Sequence, residues 1–144
     1  MIIRSVFNNK EKIPVRYTGD GLNINPPIDI IGAPENTVSF VLIIDDPDVP
    51  RIDWVHWIVF NIPAKQKRIE ENSIPTGAKL GINDMKMLKY HGPCPPYGVH
   101  RYFFKIYALN NFLELEQGAK KQDIEKAMSG HILDKTELIG VYGR

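Results

Sequence analysis

The sequence predicts a mostly β fold, an antiparallel β-sandwich formed by a single domain over residues 1–144, with one or two short helices at its periphery. Short runs rich in Val, Ile, Phe and Tyr recur between clusters of Pro, Gly, Asn and Asp, which is typical of an all-β domain rather than of βαβ units. The chain has 144 residues, of which 43% are hydrophobic and 24% charged, and this composition suits one domain with one core.

Strands are predicted where these apolar runs are long enough to cross a sheet. The four clearest cover residues 38–45, 55–62, 102–109 and 138–142. Residues 13–17 and 28–31 are predicted to be edge strands, because Pro14, Pro26 and Pro27 have no N–H to donate to a central ladder. We therefore expect strong central strands flanked by weaker ones.

One helix is predicted over residues 119–129. Ile124, Ala127 and Met128 have the spacing of one helix face, and Gly130 follows as a left-handed cap. A single helix near the end of a strand-rich chain is expected to pack on the outside of the sandwich.

Charge and cysteine content exclude several classes of protein. The 18 Lys and Arg residues nearly balance the 17 Asp and Glu residues, so no overall field attracts nucleic acid or an anionic membrane. The first residues lack the pattern of a signal peptide, and the longest apolar run, residues 40–44, is too short to insert into a membrane. Cys94 has no partner for an internal disulfide, so we expect a cytoplasmic protein.

Polar side chains concentrate at three junctions between loops and strands: residues 45–50 (DDPDVP), 54–57 (WVHW) and 92–102 (GPCPPYGVHRY). Because residues two apart share a face of a strand, each junction places a polar side chain at one end of an apolar face. The three sets are Phe40, Leu42 and Ile44 with Asp46; Trp54 and His56 with Ile58; and His100 and Tyr102 with Phe104. Brought together, these ends would form a polar pocket rimmed by aromatic rings.

Each of these residues also has a simpler structural interpretation. A lone histidine on a strand is usually a structural residue, Asp-Pro-Asp is common in turns, and Cys94 before two prolines reads as a loop residue. The coincidence of two histidines, a tyrosine and paired aspartates at strand ends is what favours a functional site.

Two segments resemble the signature regions of the phosphatidylethanolamine-binding protein family, which includes the Raf kinase inhibitor proteins. They are DDPDVPRIDWVHWIVFNIP (45–63) and GPCPPYGVHRYFFKIYAL (92–109), and weaker similarity covers residues 13–28, 77–93 and 126–144. The resemblance is to the short prokaryotic type, since the last predicted strand is followed at once by Arg144, whereas eukaryotic members continue into a further helix.

The resemblance implies a Greek-key sandwich with a small cavity for phosphate, acetate or a phosphorylated head group. The ligand-binding residues that it implies here are Asp46, Asp48, Pro50, Trp54, His56, Pro93, Cys94, His100 and Tyr102. By the same analogy, Arg101 forms a structural ion pair with Asp48, and the peptide bond between Val49 and Pro50 is expected to be cis.

The function predicted from these residues is that of a non-enzymatic binding protein without a cofactor, which holds an anion and modulates a partner such as a kinase or serine protease. Histidine N–H groups and the Tyr102 hydroxyl are donors, so the anion is expected to bind best when at least one imidazole of His56 and His100 is protonated. Asp46 is expected to accept from a histidine. A homodimer is left open, and residues 65–79 are a candidate loop for enzyme inhibition.

The alternative is a hydrolase. Its metal would be ligated by Asp46, His56 and His100, or its nucleophile would be the Cys94 thiolate. Against a metal, the sequence has no closely spaced ligand pair such as HExxH. Against the thiol, Cys94 is followed by two prolines and not by a helix N-terminus that would lower its pKa.

Overall fold

Nine strands and one α-helix make up the computed structural model, which describes the whole chain, residues 1–144. The strands are β1 (Ile2–Arg4), β2 (Glu11–Lys12), β3 (Ile28–Ile31), β4 (Ser39–Asp46), β5 (Trp54–Pro63), β6 (Arg68–Ile69), β7 (Lys79–Leu80), β8 (Val99–Leu109) and β9 (Ile132–Gly143). The helix α1 spans Lys121–Met128, and a single 3-10 turn spans Val15–Tyr17. The mostly β fold is therefore confirmed.

The strands form two sheets that pack face to face. The larger has the order β2-β9-β8-β4-β5-β7 and the smaller the order β1-β3-β6. Every pair is antiparallel except β2 with β9, which is parallel. Within the large sheet, the order β8-β4-β5-β7 has the Greek-key arrangement, in which the last of four strands returns beside the first.

Strand β4 is central, and all eight of its residues are buried. Its side chains alternate between two apolar clusters, because successive residues of a strand face opposite sides of the sheet. Phe40, Leu42 and Ile44 belong to the core between the two sheets. Val41 and Ile43 belong to a second cluster that lies under helix α1. Burial on both faces explains why β4 reads as a continuous apolar run.

Helix α1 covers the outer face of the large sheet through the residues predicted from its periodicity. Ile124 and Met128 are buried in the second cluster, and Ala127 packs against it. Gly130 has φ = 83°, the left-handed conformation expected of a residue that ends a helix. The predicted helix is thus confirmed within two residues at its N-terminal end and one at its C-terminal end.

A buried ion cluster also fixes the helix to the sheet. Oδ2 of Asp45 accepts hydrogen bonds from Lys105 and Lys121, each at 3.0 Å, and Lys121 also donates to Asp53 at 2.7 Å. Burial raises the pKa of Asp45, and the two lysines oppose that effect. Since Asp45 immediately precedes Asp46 on the other face of β4, the cluster also anchors the strand end that carries a predicted site residue.

Three predicted strands differ from those observed. Residues 28–31 form strand β3, but β3 lies between β1 and β6 and is not an edge strand; Pro26 and Pro27 precede it, so they remove no N–H from its ladder. Residues 13–17 are not a strand: after the short β2, the chain turns at Pro14 and forms the 3-10 turn, where Arg16 and Tyr17 bond to Glu71. The last strand begins at Ile132 rather than at residue 138. Its first half was missed because it is polar and lies at the exposed side of the sheet, so that it lacks an apolar pattern.

A β-bulge in β5 changes which of its side chains share a face. Trp57 lies opposite Ile44, and Val55 lies opposite Asp45, so His56 is the extra residue. The prediction that Ile58 shares a face with Trp54 and His56 is therefore wrong, since Ile58 packs in the second cluster under α1. The bulge instead directs His56 toward the end of the sandwich where β4 and β8 also present polar residues.

Candidate functional site

A cleft of about 420 Å³ opens at this end of the sandwich. Six of the sequence-predicted residues line it: Asp46, Trp54, His56, Cys94, His100 and Tyr102. They come from the end of β4, the start of β5, the proline loop before β8 and the start of β8. The antiparallel register explains their meeting, because Asp45 lies opposite Phe103 and the next residues in each direction are Asp46 and Tyr102.

Asp46 is the only carboxylate that lines the cleft, and both of its oxygens are already used. Oδ1 accepts the backbone N–H of Asp48 at 2.8 Å, which fixes the turn after β4. Oδ2 lies 2.6 Å from Nδ1 of His100. Since an ionised carboxylate only accepts, Nδ1 of His100 carries a proton, and Nε2 is the ring nitrogen left for a ligand.

His56 is held through the same ring nitrogen, but by a backbone carbonyl and not by a carboxylate. Its Nδ1 lies 2.5 Å from the carbonyl oxygen of His91, while the backbone N–H of His91 donates to the carbonyl of His56 at 3.2 Å. Burial lowers the pKa of His56 to about 4, although the bond to His91 opposes the shift. His56 is therefore neutral near pH 7. Its one N–H is used on the His91 carbonyl, so His56 brings neither a positive charge nor a free N–H to the cleft.

Tyr102 lies between the two histidines. Its ring is nearly perpendicular to that of His56, with ring centres 5.2 Å apart, and it stacks with His100 at 6.5 Å. The residue is 1% exposed, yet its hydroxyl has no hydrogen bond to another protein group. Burial raises the pKa of this hydroxyl, so it keeps its proton and can donate to a ligand in the cleft.

The proline loop forms the opposite wall and is fixed from behind. The backbone N–H of Gly19 donates to the carbonyl of Pro93 at 2.8 Å, and a Cβ on Gly19 would lie 2.8 Å from Cβ of Cys94, so only glycine fits there. Arg144 donates to the carbonyl of Pro95 at 3.0 Å and pairs with Asp20 at 2.9 Å. Sequence reasoning gave Arg144 no role at this wall.

Three predicted ligand-binding residues lie outside the cleft. Asp48 forms a two-point ion pair with Arg101, with N–O distances of 2.8 and 3.0 Å, which agrees with the structural role expected for Arg101. Pro50 is exposed, and Pro93 is buried behind the wall. The peptide bond between Val49 and Pro50 is trans, which corrects the expected cis bond. The chain reverses instead through the Asp46–Asp48 turn and through Arg51, which has φ = 69°.

Five further residues line the cleft without having been predicted. They are Val49, Met85, His91, Pro95 and Pro96, and they leave its walls largely apolar. His91 stacks on His56 with ring centres 5.9 Å apart, and its Nδ1 is buried without a hydrogen-bond partner. A third histidine immediately before the Gly-Pro of the proline loop was the available signal for this residue.

The chain contains no group of three or more His, Cys, Asp or Glu side chains arranged to hold a metal ion. None of its helices has the length and apolar character needed to cross a membrane.

Comparison with known proteins agrees with this architecture. The family model described as phosphatidylethanolamine-binding protein matches residues 3–143. A UPF0098 protein from Methanothermobacter thermautotrophicus is 50% identical over 143 residues, which cover 96% of this chain and 95% of the relative. One from Aquifex aeolicus is 46% identical over 145 residues, covering 96% and 85%.

Two solved structures superpose closely on the chain. A phosphatidylethanolamine-binding protein homologue from Chlamydia trachomatis has a TM-score of 0.94 at 37% identity, covering 99% of this chain and 96% of its own. An E. coli protein described as a member of the mammalian PEBP family has a TM-score of 0.91 at 28% identity, covering 99% and 97%. A family match over nearly the whole length, with relatives of this identity, shows that the chain belongs to the phosphatidylethanolamine-binding protein family.

Proposed function

We propose that this protein is a non-enzymatic binding protein whose cleft holds a small anion, such as phosphate, acetate or a phosphorylated head group. The observation that carries the proposal is the Tyr102 hydroxyl, a donor without a protein partner that is reached only from the cleft and whose ring stacks with that of His100. A polar group held in an apolar cleft without a partner is unfavourable, and a bound oxyanion would supply the missing acceptor.

His100 adds a donor that depends on its protonation. With Nδ1 bonded to Asp46, protonation of the ring places the second N–H on Nε2. A charge-assisted bond from this N–H to an oxyanion is roughly twice as strong as a neutral one. The carboxylate of Asp46 lies beside the proposed anion site, but it is hydrogen-bonded to His100. Its negative charge is therefore partly compensated when the His100 ring is protonated.

The alternative function, a metal- or thiol-dependent hydrolase, lacks the contacts that such chemistry needs. Both oxygens of Asp46 are already bonded, one to the backbone of Asp48 and one to His100, and no three His, Cys, Asp or Glu side chains are grouped as a zinc site requires. The thiol of Cys94 has Arg144 as its hydrogen-bond neighbour, at 3.8 Å, and no imidazole is bonded to it as a base. These contacts favour binding over catalysis.

The wider setting of the function extends the same proposal. Four further features stay predictions: a protein partner such as a kinase or serine protease, contacts through residues 65–79, a homodimer, and a cytoplasmic location. The balance of 18 basic and 17 acidic residues supports the expectation that nucleic acid is not a partner.

Calorimetric titration with phosphate, acetate and phosphoethanolamine tests the proposal, followed by a crystal structure of the soaked protein. We expect at least one of these anions to bind in the micromolar to millimolar range, with density between His100 and Tyr102. Absence of binding by all three, or density only outside the cleft, would overturn it. Ester hydrolysis by the purified protein that disappears in a Cys94→Ser variant would favour the hydrolase.

A further inference from the structure

His56 offers the cleft a hydrogen-bond acceptor whose identity is fixed by the backbone. A carbonyl oxygen can only accept, so the contact of 2.5 Å between Nδ1 of His56 and the oxygen of His91 requires the proton to be on Nδ1. In the neutral ring, Nε2 then carries a lone pair. Nε2 has no protein partner and is not among the buried unpaired atoms, which leaves it accessible from the cleft.

The surroundings of the ring prevent it from reversing these roles. The carbonyl of His56 accepts from the backbone N–H of His91 and from the side-chain amide of Asn83 at 3.3 Å, so the backbone on both sides of the bond is held. The ring stacks on that of His91 on one side and lies nearly perpendicular to that of Tyr102 on another. A flip of the ring would replace Nδ1 by a carbon and leave the His91 carbonyl without this donor.

The cleft therefore presents an acceptor and a donor at neighbouring positions. Nε2 of His56 accepts, and the Tyr102 hydroxyl donates, with the two rings in edge contact. A small oxyanion that satisfies both must have a hydroxyl proton for His56 and a further oxygen that accepts from Tyr102. The carboxylate of Asp46, the only acidic group lining the cleft, adds a preference for a singly over a doubly charged anion.

We infer that the cleft selects oxyanions that retain a hydroxyl proton, namely hydrogen phosphate and phosphate monoesters, over sulfate and phosphate diesters, and that His56 is the residue that makes this distinction. The inference rests on the proposed function, since it specifies the anion class for the same cleft. A phosphate monoester keeps a P–OH group below its second pKa of about 6. Sulfate and a phosphate diester have none near neutral pH, so each would place an oxygen lone pair against that of Nε2.

Four probes of similar size test the selection by calorimetry at pH 6: inorganic phosphate, methyl phosphate, dimethyl phosphate and sulfate. Dimethyl phosphate stands for the diester of an intact phospholipid and methyl phosphate for a monoester. We expect the first two to bind about tenfold or more tightly than dimethyl phosphate and sulfate, the effect of one hydrogen bond that is made or left unpaired.

A His56→Asn variant assigns the selection to this residue. The Asn amide nitrogen takes the place of Nδ1 and can still donate to the His91 carbonyl, whereas nothing replaces Nε2. In this variant we expect phosphate and methyl phosphate to bind at most about threefold more tightly than dimethyl phosphate and sulfate, a difference smaller than the effect of one hydrogen bond. The matched control is His131→Asn, because the side chain of His131 bonds only to Asn110, outside the cleft. The control variant should keep the wild-type preference.

The outcomes separate this inference from the proposed function. Similar affinities of the wild-type protein for all four probes would overturn the inference and leave anion binding intact. No binding of any probe would overturn both. A preference that survives in a folded His56→Asn protein would show that another residue makes the selection. The wild-type series decides the anion class even if the variant does not fold.

Discussion

The carboxylate of Asp46 and the imidazole of His100 are joined by a hydrogen bond of 2.6 Å between Oδ2 and Nδ1. This bond crosses from the end of β4 to the start of β8, and it leaves Nε2 as the only nitrogen of His100 that can gain or lose a proton while the bond persists. His56 is bonded at the equivalent nitrogen to a carbonyl instead. The two histidines of the cleft are therefore held through the same ring nitrogen, one by a carboxylate and the other by a backbone carbonyl.

Replacing Tyr102 by phenylalanine should weaken phosphate binding by about 1–3 kcal/mol, the range for a lost hydrogen bond to a charged group. The free energy of unfolding should change less, because the Tyr102 hydroxyl has no protein partner. Calorimetry and urea unfolding on the same samples measure the two effects.

The matched control for this substitution is Tyr90→Phe. The Tyr90 hydroxyl donates to the carbonyl of Tyr17 at 2.6 Å in a buried site, so its loss should reduce stability and leave phosphate affinity unchanged. Unaltered phosphate affinity in a folded Tyr102→Phe protein would mean that Tyr102 has only a structural role.

The sequence predicted the parts of the fold that depend on apolar periodicity. Local sequence patterns predict strands β4, β5 and β8, the helix face at Ile124 and Met128, and the turn at Gly130. Burial of the apolar side chains then stabilises these elements. The first half of β9 could not be recognised in this way. This half is polar because it lies at the exposed side of the sheet. It is held as a strand by its pairing with β8, which depends on the tertiary fold and not on the local sequence.

The candidate site was predicted in its composition but not in its geometry. Two-residue alternation correctly placed Asp46 with Ile44, and Tyr102 with Phe104. It failed at Ile58, because a β-bulge at His56 is set by the register of two strands and leaves no mark in the sequence of one. The role of His56 as an acceptor depends on the His91 carbonyl, and no side-chain pattern reports the direction of a backbone carbonyl.

The buried neutral state of His56 should reduce stability in acid. Its pKa of about 4 in the folded protein lies below the value of roughly 6.5 for an unperturbed histidine, so between these values the unfolded chain binds a proton that the native protein does not. The free energy of unfolding should therefore fall as pH drops from 6.5 to 4, by roughly 3 kcal/mol from this residue. Above pH 6.5 the residue should have no such effect.

Urea unfolding of the wild-type protein and His56→Asn at pH 7, 5.5 and 4.5 measures this term. The carboxylates with lowered pKa values, such as Asp48 and Asp20, also reduce stability in acid, but they are present in both proteins and cancel in the difference. As pH falls, we expect the free energy of unfolding to decrease more in the wild-type protein than in the variant. A constant difference over this range would contradict a buried neutral His56.

Replacing Arg101 by lysine should leave phosphate affinity within about threefold, less than the loss of one hydrogen bond to a charged group. Arg101 uses both Nε and Nη2 on Asp48 and lies outside the cleft, and lysine keeps the charge but loses the two-point geometry. Only a small loss of thermal stability is expected, since the guanidinium is half-exposed. A loss of affinity of tenfold or more, with the fold intact, would instead place Arg101 in contact with the ligand.

The dependence of binding on pH separates an anion site from a metal site. Phosphate affinity should rise as pH falls from 8 to 5, because phosphate changes from a doubly to a singly charged anion, which the carboxylate of Asp46 in the cleft favours. His56 does not contribute a charge in this range, since its pKa is about 4. In His100→Asn, which can still donate to Asp46, the rise in affinity toward low pH should remain, because it belongs to the phosphate.

A metal site requires the opposite slope. Imidazoles must be deprotonated before they can ligate zinc, so zinc affinity would rise with pH over the same range. Because no three ligating side chains are grouped in the chain, we expect stoichiometric zinc to leave both the melting temperature and phosphate affinity unchanged. Zinc uptake that strengthens with pH, together with ester hydrolysis that a chelator abolishes, would replace the binding protein by the hydrolase. Since the two slopes have opposite signs, one titration series at three pH values is enough to distinguish them.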